Sequence, residues 1–162
     1  MLALTLTSFV FYQAMLIIPG QSVGHFFVNK TTLKNVKAIL GKGEVKKLKW
    51  YAPHCGLSKP YFKLVYPDKG ISFTFYTSEL KKSDIIETIE LTKSFIAQTE
   101  EQIAAGYSTR TDVYHAYGRP SDTTNARYVA YEELGISFEF MDSINQVNDT
   151  LKTMYIYKPT EK

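Results

Sequence analysis

The chain has 162 residues, 44% of them hydrophobic and 22% charged, and a formal net charge of +3. That balance belongs to a folded globular protein and excludes a disordered or collagen-like chain. The small net charge argues against nucleic acid as a partner, and a single cysteine excludes an internal disulfide.

The first 29 residues carry no Lys, Arg, Asp or Glu. Leu2 to Tyr12 is an apolar run, and residues 1–14 read as an export signal or its remnant ending at Gln13-Ala14. The competing reading is a native core strand, because no basic residue precedes the run and Tyr12 fits poorly before a cut after Ala14. Thr5, Thr7, Ser8 and Gln13 dilute the run and Pro19-Gly20 ends it, which argues against a membrane-spanning helix. Membrane association is expected only through this segment.

From there the chain is written twice. Thr31 to Gly41 aligns with Ser108 to Gly118, and each stretch predicts a helix of about two turns. Thr32 and Thr109 supply hydroxyls for the first orphaned N–H groups, and Asp112 completes a near capping box. Leu33, Val36 and Leu40 share one helical face, as do Val113 and Tyr117. Gly41 and Gly118 are expected to close the helices in the left-handed conformation, and Pro120 forbids continuation of the second.

A hairpin follows in each copy. Tyr66 to Phe75 returns 65 positions later as Tyr131 to Phe140, with six of ten positions identical. Phe62, Leu64 and Tyr66 alternate with Tyr61, Lys63 and Val65, a strand of period two. Pro67-Asp68-Lys69-Gly70 is a turn, after which Ile71, Phe73 and Phe75 share a face, mirrored by Ile136, Phe138 and Phe140. A further strand is expected where Ile86, Ile89 and Leu91 align with Leu151, Met154 and Ile156. Between the copies, Gln98 to Ala105 is helix-compatible, yet Ile103 to Gly106 aligns with Phe26 to Asn29 as an extended lead-in; both readings stay open.

The order therefore predicts an α+β fold. Two tandem helix–antiparallel-sheet repeats, 15–91 and 92–162, would form one continuous curved sheet with short helices packed on one face. The first copy carries an insertion, 42–63, holding Lys42, Lys46, Lys47, Lys49, Lys59 and Lys63 against Glu44 alone. Residues 30–91 hold twelve Lys against six acids, and 92–162 seven basic residues against ten acids.

Few residues suggest chemistry. His54-Cys55 is the one adjacent pair suited to a thiolate nucleophile, with Lys49 and Lys59 able to lower its pKa. Pro53 and Gly56 mark that stretch as a turn, where a loop thiol is the plainer reading. His25, His54 and His115 lack metal-ligand spacing. Gly41-Lys42-Gly43 lacks the full phosphate-loop pattern and follows a helix, so it reads as a helix terminator. Glu132 and Glu133 sit in a turn, where carboxylates are normally solvated. No cofactor is expected.

The helix pattern x-[ST]-T-x-x-[DN]-V-x-x-x-[LY]-G-[KR]-[GP], followed by Y-x-x-x-G-I-S-F-x-F, resembles the tandem repeat of the β-lactamase-inhibitor protein. It is also similar to the single unit of SmpA/OmlA-type outer-membrane assembly lipoproteins. The resemblance covers about 17 to 158. It implies helices on one face of an antiparallel sheet, and an exported bacterial protein that binds other proteins. The chain has neither the lipid-bearing Cys of the lipoproteins nor the paired cysteines of the inhibitor, so no individual contact residue carries over.

The expectation is a secreted or periplasmic, non-enzymatic module that binds a protein partner of acidic character. Clustered positive charge speeds encounter and aromatic rings anchor it. The candidate contact residues are Lys46, Lys47, Lys49, Trp50, Tyr51 and Tyr61, joined by Tyr155 and Tyr157, which flank the inward Ile156. The alternatives are lysines that only blunt a sheet edge, a small-molecule binder or hydrolase at His54 and Cys55, and a structural component of the cell envelope.

Overall fold

The computed structural model describes residues 14–51, 58–120, 127–141 and 149–160, without the side chains of residues 50, 51, 58 and 59. The fold is α+β and mostly strand, with two helices and two sheets. The elements run β1 (Met15–Ile18), β2 (Ser22–Val23), β3 (Phe26–Phe27), α1 (Leu33–Leu40), β4 (Glu44–Tyr51), β5 (Ser58–Tyr66), β6 (Ile71–Phe75) and β7 (Thr88–Thr92). They continue with β8 (Ala97–Thr99), α2 (Arg110–Tyr117), β9 (Tyr128–Tyr131), β10 (Ile136–Phe140) and β11 (Leu151–Tyr157).

Both helices start as their sequences require. The Thr32 hydroxyl accepts from Asn35 N and the Thr109 hydroxyl from Asp112 N, and each helix carries the reciprocal bond of a full capping box. Their ends differ from expectation. Gly41 and Gly118 have φ of 82° and 79°, but ψ is −154° and 178°, outside the left-handed helical well. That region is open essentially to glycine alone. A Cβ at either position would meet nothing within 4 Å, so the demand comes from the backbone and not from crowding.

The larger sheet has the order β4-β5-β6-β7-β11-β10-β9, antiparallel throughout. Matching positions keep matching partners. Phe73 faces Leu64 and Ile89, while Phe138 faces Val129 and Met154. Tyr66 donates to the Gly41 carbonyl at 2.9 Å and Tyr131 to that of Gly118 at 2.5 Å, so each hairpin holds the end of the helix before it. The chain bridges Thr32 to Ile85 in one half and Thr109 to Thr150 in the other.

A second sheet, β3-β2-β1-β8, corrects the expectation of a single one. β1 lies parallel to β8, which only a long excursion of the chain allows. Residues 92–105 hold no helix: the short strand β8 lies between turns, with Ala97, Ile103 and Ala105 buried. The expectation for residues 1–14 falls almost wholly outside the described residues; from Met15 the chain is part of the fold, with Ile17 buried.

One face of the large sheet is apolar and covered. Phe26 of the small sheet meets Phe73 edge-on at 5.0 Å between ring centroids, and Tyr117 of α2 lies 5.5 Å from Phe138. Leu33 and Val36 of α1 join the same core. The two helices differ at their first position. α1 places Leu33 in the core there, whereas α2 places Arg110, buried 3.0 Å from Asp149 with its guanidinium 4.1 Å from the Phe140 ring.

Candidate functional site

The other face of the large sheet is built from the alternate residues of the same strands. Because side chains in cross-strand pairs share a face, the register defines its rows. One row runs Glu44, Val65, Ser72, Glu90, Tyr155 and Ser137; another runs Lys46, Lys63, Thr74, Thr88 and Tyr157. Thr92, Thr153, Glu139 and Tyr128 make a third. Small hydroxyl residues floor this surface and longer tyrosines, lysines and glutamates stand over them. Ser72, Thr74, Ser137 and Thr153 are consequently buried although they do not belong to the apolar core.

Two shallow hollows lie on this face, and both are lined only by the large sheet and its immediate flanks. The first, of about 500 Å3, is charged: Lys46 and Lys63 border it on one side and Glu90 and Glu139 on the other. Lys63 Nζ is 2.5 Å from Glu90 Oε2, and Lys152 Nζ is 2.7 Å from Glu139 Oε1. The second, of about 440 Å3, is a belt of five tyrosines, Tyr61, Tyr76, Tyr128, Tyr155 and Tyr157. Tyr61 and Tyr76 rings are 5.9 Å apart, as are Tyr128 and Tyr155. Tyr155 donates to Glu139 at 2.8 Å and Tyr128 bonds Ser137, so these rings are held in place before any partner arrives.

The electrostatics follow from partial burial. Burial pushes Tyr157 up to about 12, and burial together with the Glu139 carboxylate holds Tyr155 higher still. Tyr128 is raised by burial despite its bond to Ser137. Burial also pushes Glu139 upward, but the bonds from Lys152 and Tyr155 outweigh it and leave the carboxyl below its usual range.

The tyrosine shifts predict a specific alkaline response. An acid whose folded pKa exceeds its unfolded value contributes stability that is complete below the unfolded pKa and lost as pH rises towards the folded one. For Tyr157 the loss begins near pH 10 and runs through about pH 12, and for Tyr155 it begins in the same place and extends further. Phenolate absorbance should therefore rise later in the folded chain than in urea, and Tyr157→Phe should lose less stability across that interval. Synchronous ionisation of all the tyrosines near pH 10 in the folded chain would contradict this.

The sequence-derived candidates divide between faces. Lys46, Tyr61, Tyr155 and Tyr157 lie on the open face. Lys47 and Lys49 pair with Phe62 and Pro60 on the side of the apolar core, where the Lys47 ammonium sits 5.7 Å from the Phe62 ring. The candidates on β4 are therefore divided between two faces, because a strand sends neighbouring residues to opposite sides and a cluster in sequence is not a cluster in space. Trp50 and Tyr51 pair with Lys59 and Ser58 in the β4–β5 register, and their side chains lie outside the described residues. His54 and Cys55 lie outside them entirely. His25 and His115 are exposed. Among the described residues no group of three His, Cys, Asp or Glu side chains is placed to hold a metal, and no helix is long and apolar enough to cross a membrane.

Tyr76, Tyr128, Glu90 and Glu139 escaped the sequence reading. Their signal is the polar half of each alternating stretch: Tyr76 in Ser-Phe-Thr-Phe-Tyr, Glu90 in Thr-Ile-Glu-Leu-Thr, Tyr128 in Tyr-Val-Ala-Tyr and Glu139 in Ile-Ser-Phe-Glu-Phe.

No protein-family model matches the chain, and neither does any curated protein. Among solved structures it is similar to the crystal structure of the uncharacterized protein YfeY from Escherichia coli. The TM-score is 0.54 at 14% identity, covering 87% of this chain and 99% of that one. At that identity the likeness is one of fold alone.

Proposed function

We propose that this protein is a secreted or periplasmic, non-enzymatic interaction module that holds a protein partner on the open face of its large sheet. The carrying observation is the tyrosine belt beside the charged hollow, with Tyr76 63% exposed and Tyr128 36% exposed, and with Tyr128 and Tyr155 already hydrogen-bonded to Ser137 and Glu139. Tyrosine gives large contact area with only two side-chain torsions to order, and rings fixed beforehand lower that cost further. Charged groups around such a patch set register and partner choice more than affinity.

We also read the chain as two copies of one unit, 15–91 and 92–162, in the manner of the tandem inhibitor repeat or the SmpA/OmlA unit. The matched registers, the matched capping boxes and the paired Tyr-to-Gly carbonyl bonds support that reading. Under it β7 and β11, the third strands of each copy, meet at the centre, and the insertion 42–63 adds β4 to one copy alone.

The test is capture of partners from the native cell envelope with the tagged full chain. Tyr76→Ala combined with Tyr128→Ala should weaken capture by roughly 30-fold, the loss expected of about 2 kcal/mol at a central contact. Tyr128→Ala also strands the buried Ser137 hydroxyl and should cost about 1–3 kcal/mol of stability, whereas Tyr76→Ala alone should weaken capture with thermal unfolding little changed. Undiminished capture by the double variant would end the open-face reading.

A further inference from the structure

The edge strand β4 is eight residues long, and among the described residues it pairs with β5 alone. Every second residue therefore turns its N–H and C=O away from the sheet, which is a template for one more strand. Proteins commonly blunt such edges with lysine, and β4 has three in exposed positions, Lys46, Lys47 and Lys49. Their arrangement goes beyond blunting. Lys47 and Lys49 are consecutive positions on one face, while Lys46 stands on the other beside Glu44 at 3.5 Å. The opposite edge, β9, is four residues long and carries no charge. Positive charge is thus gathered along the one long edge.

We infer that β4 accepts an extended acidic segment of a protein partner as an additional strand, with alternate carboxylates opposite Lys47 and Lys49. The inference rests on the proposed protein-binding role and specifies the partner's chemistry and its mode of attachment. Main-chain bonds would supply affinity and the period-two acids would supply register. Each cross-strand pair of opposite charges contributes modestly, and the same pair with like charges destabilises. That sign rule disfavours a second copy of this chain, because β4 laid along β4 brings lysine against lysine. The site is also continuous with the open face: Lys46 and Leu48 border the charged hollow, so an added strand would extend its wall.

The probe is an eight-residue peptide of alternating Glu and Val, matched to the length of β4 and titrated against the full chain by fluorescence anisotropy. Saturable binding is expected. N-methylation of alternate peptide nitrogens should abolish it in one phase and spare it in the other, because only one set of N–H groups faces β4. Lys47→Glu with Lys49→Glu should weaken binding about tenfold or more, with thermal unfolding nearly unchanged. Tyr76→Ala should leave peptide binding intact. Absence of binding, equal binding of both N-methylated phases, or equal binding of a scrambled acidic peptide or of single-stranded DNA would overturn strand addition. In those cases envelope capture that still depends on Tyr76 and Tyr128 would leave the open-face reading standing. Loss of that dependence, with the peptide still bound in one phase, would remove the open face and keep the edge.

Discussion

Arg110→Ala should lower stability by about 3–5 kcal/mol, the cost of stripping a buried charge of its partner. Arg110 and Asp149 are each 4% exposed, and the Asp149 carboxylate accepts from Arg110 Nη2 at 3.0 Å. Removing the guanidinium strands the carboxylate and leaves a void against Phe140. A domain of this size has only about 5–15 kcal/mol in total, so the melting temperature should fall by on the order of 10 °C. Helix α1 shows what the position needs. There Leu33 occupies the matching site, with the same backbone bond, Leu33 N to Asp84 O at 2.8 Å against Arg110 N to Asp149 O at 3.1 Å. Arg110→Leu alone should therefore remain strongly destabilised, whereas Arg110→Leu with Asp149→Ala should recover most of the loss. Urea unfolding of the three variants measures this. A double variant no better than Arg110→Leu would mean that Asp149 is held by its other contacts and that the ion pair matters little.

Phe73→Ala and Phe138→Ala should each cost about 3–5 kcal/mol, and by similar amounts. Both rings are fully buried, and their surroundings correspond. Phe73 meets Tyr66 edge-on at 6.2 Å and 84°, and Phe138 meets Tyr131 at 6.0 Å and 78°. The partners differ in kind: Phe73 also touches Phe26 of the small sheet, and Phe138 touches Tyr117 of α2. A small difference between the two costs is expected from that. A silent substitution at one site and collapse at the other would show that the two halves do not share a core design, and the proposed duplication would lose its physical content.

Local instructions were legible where a few neighbouring residues decide the outcome. Thr32 and Thr109 cap helices because a hydroxyl three residues from an orphaned N–H has little choice. The Pro67–Gly70 turn and the alternation of Ile71, Phe73 and Phe75 likewise follow from backbone sterics and the period of a strand. The candidate site was legible only in part, because Lys46 to Tyr51 looked like one patch. Strand geometry sends Lys46 to the open face and Lys47 to the core side, and nothing short of the register says which is which.

The amino-acid order alone settled the start of each helix at its capping threonine and the two hairpins with their inward aromatic faces, since each depends on contacts a few residues apart, and it settled the unequal charge of the halves by composition. Only the folded chain decided that β7 would lie beside β11, that β1 would run parallel to β8 in a second sheet, and that β4 would become an exposed edge. Those are pairings between segments far apart in sequence. Many registers satisfy the same alternation, and the choice among them is made by which one buries Phe73 and Phe138 under the helices and the small sheet.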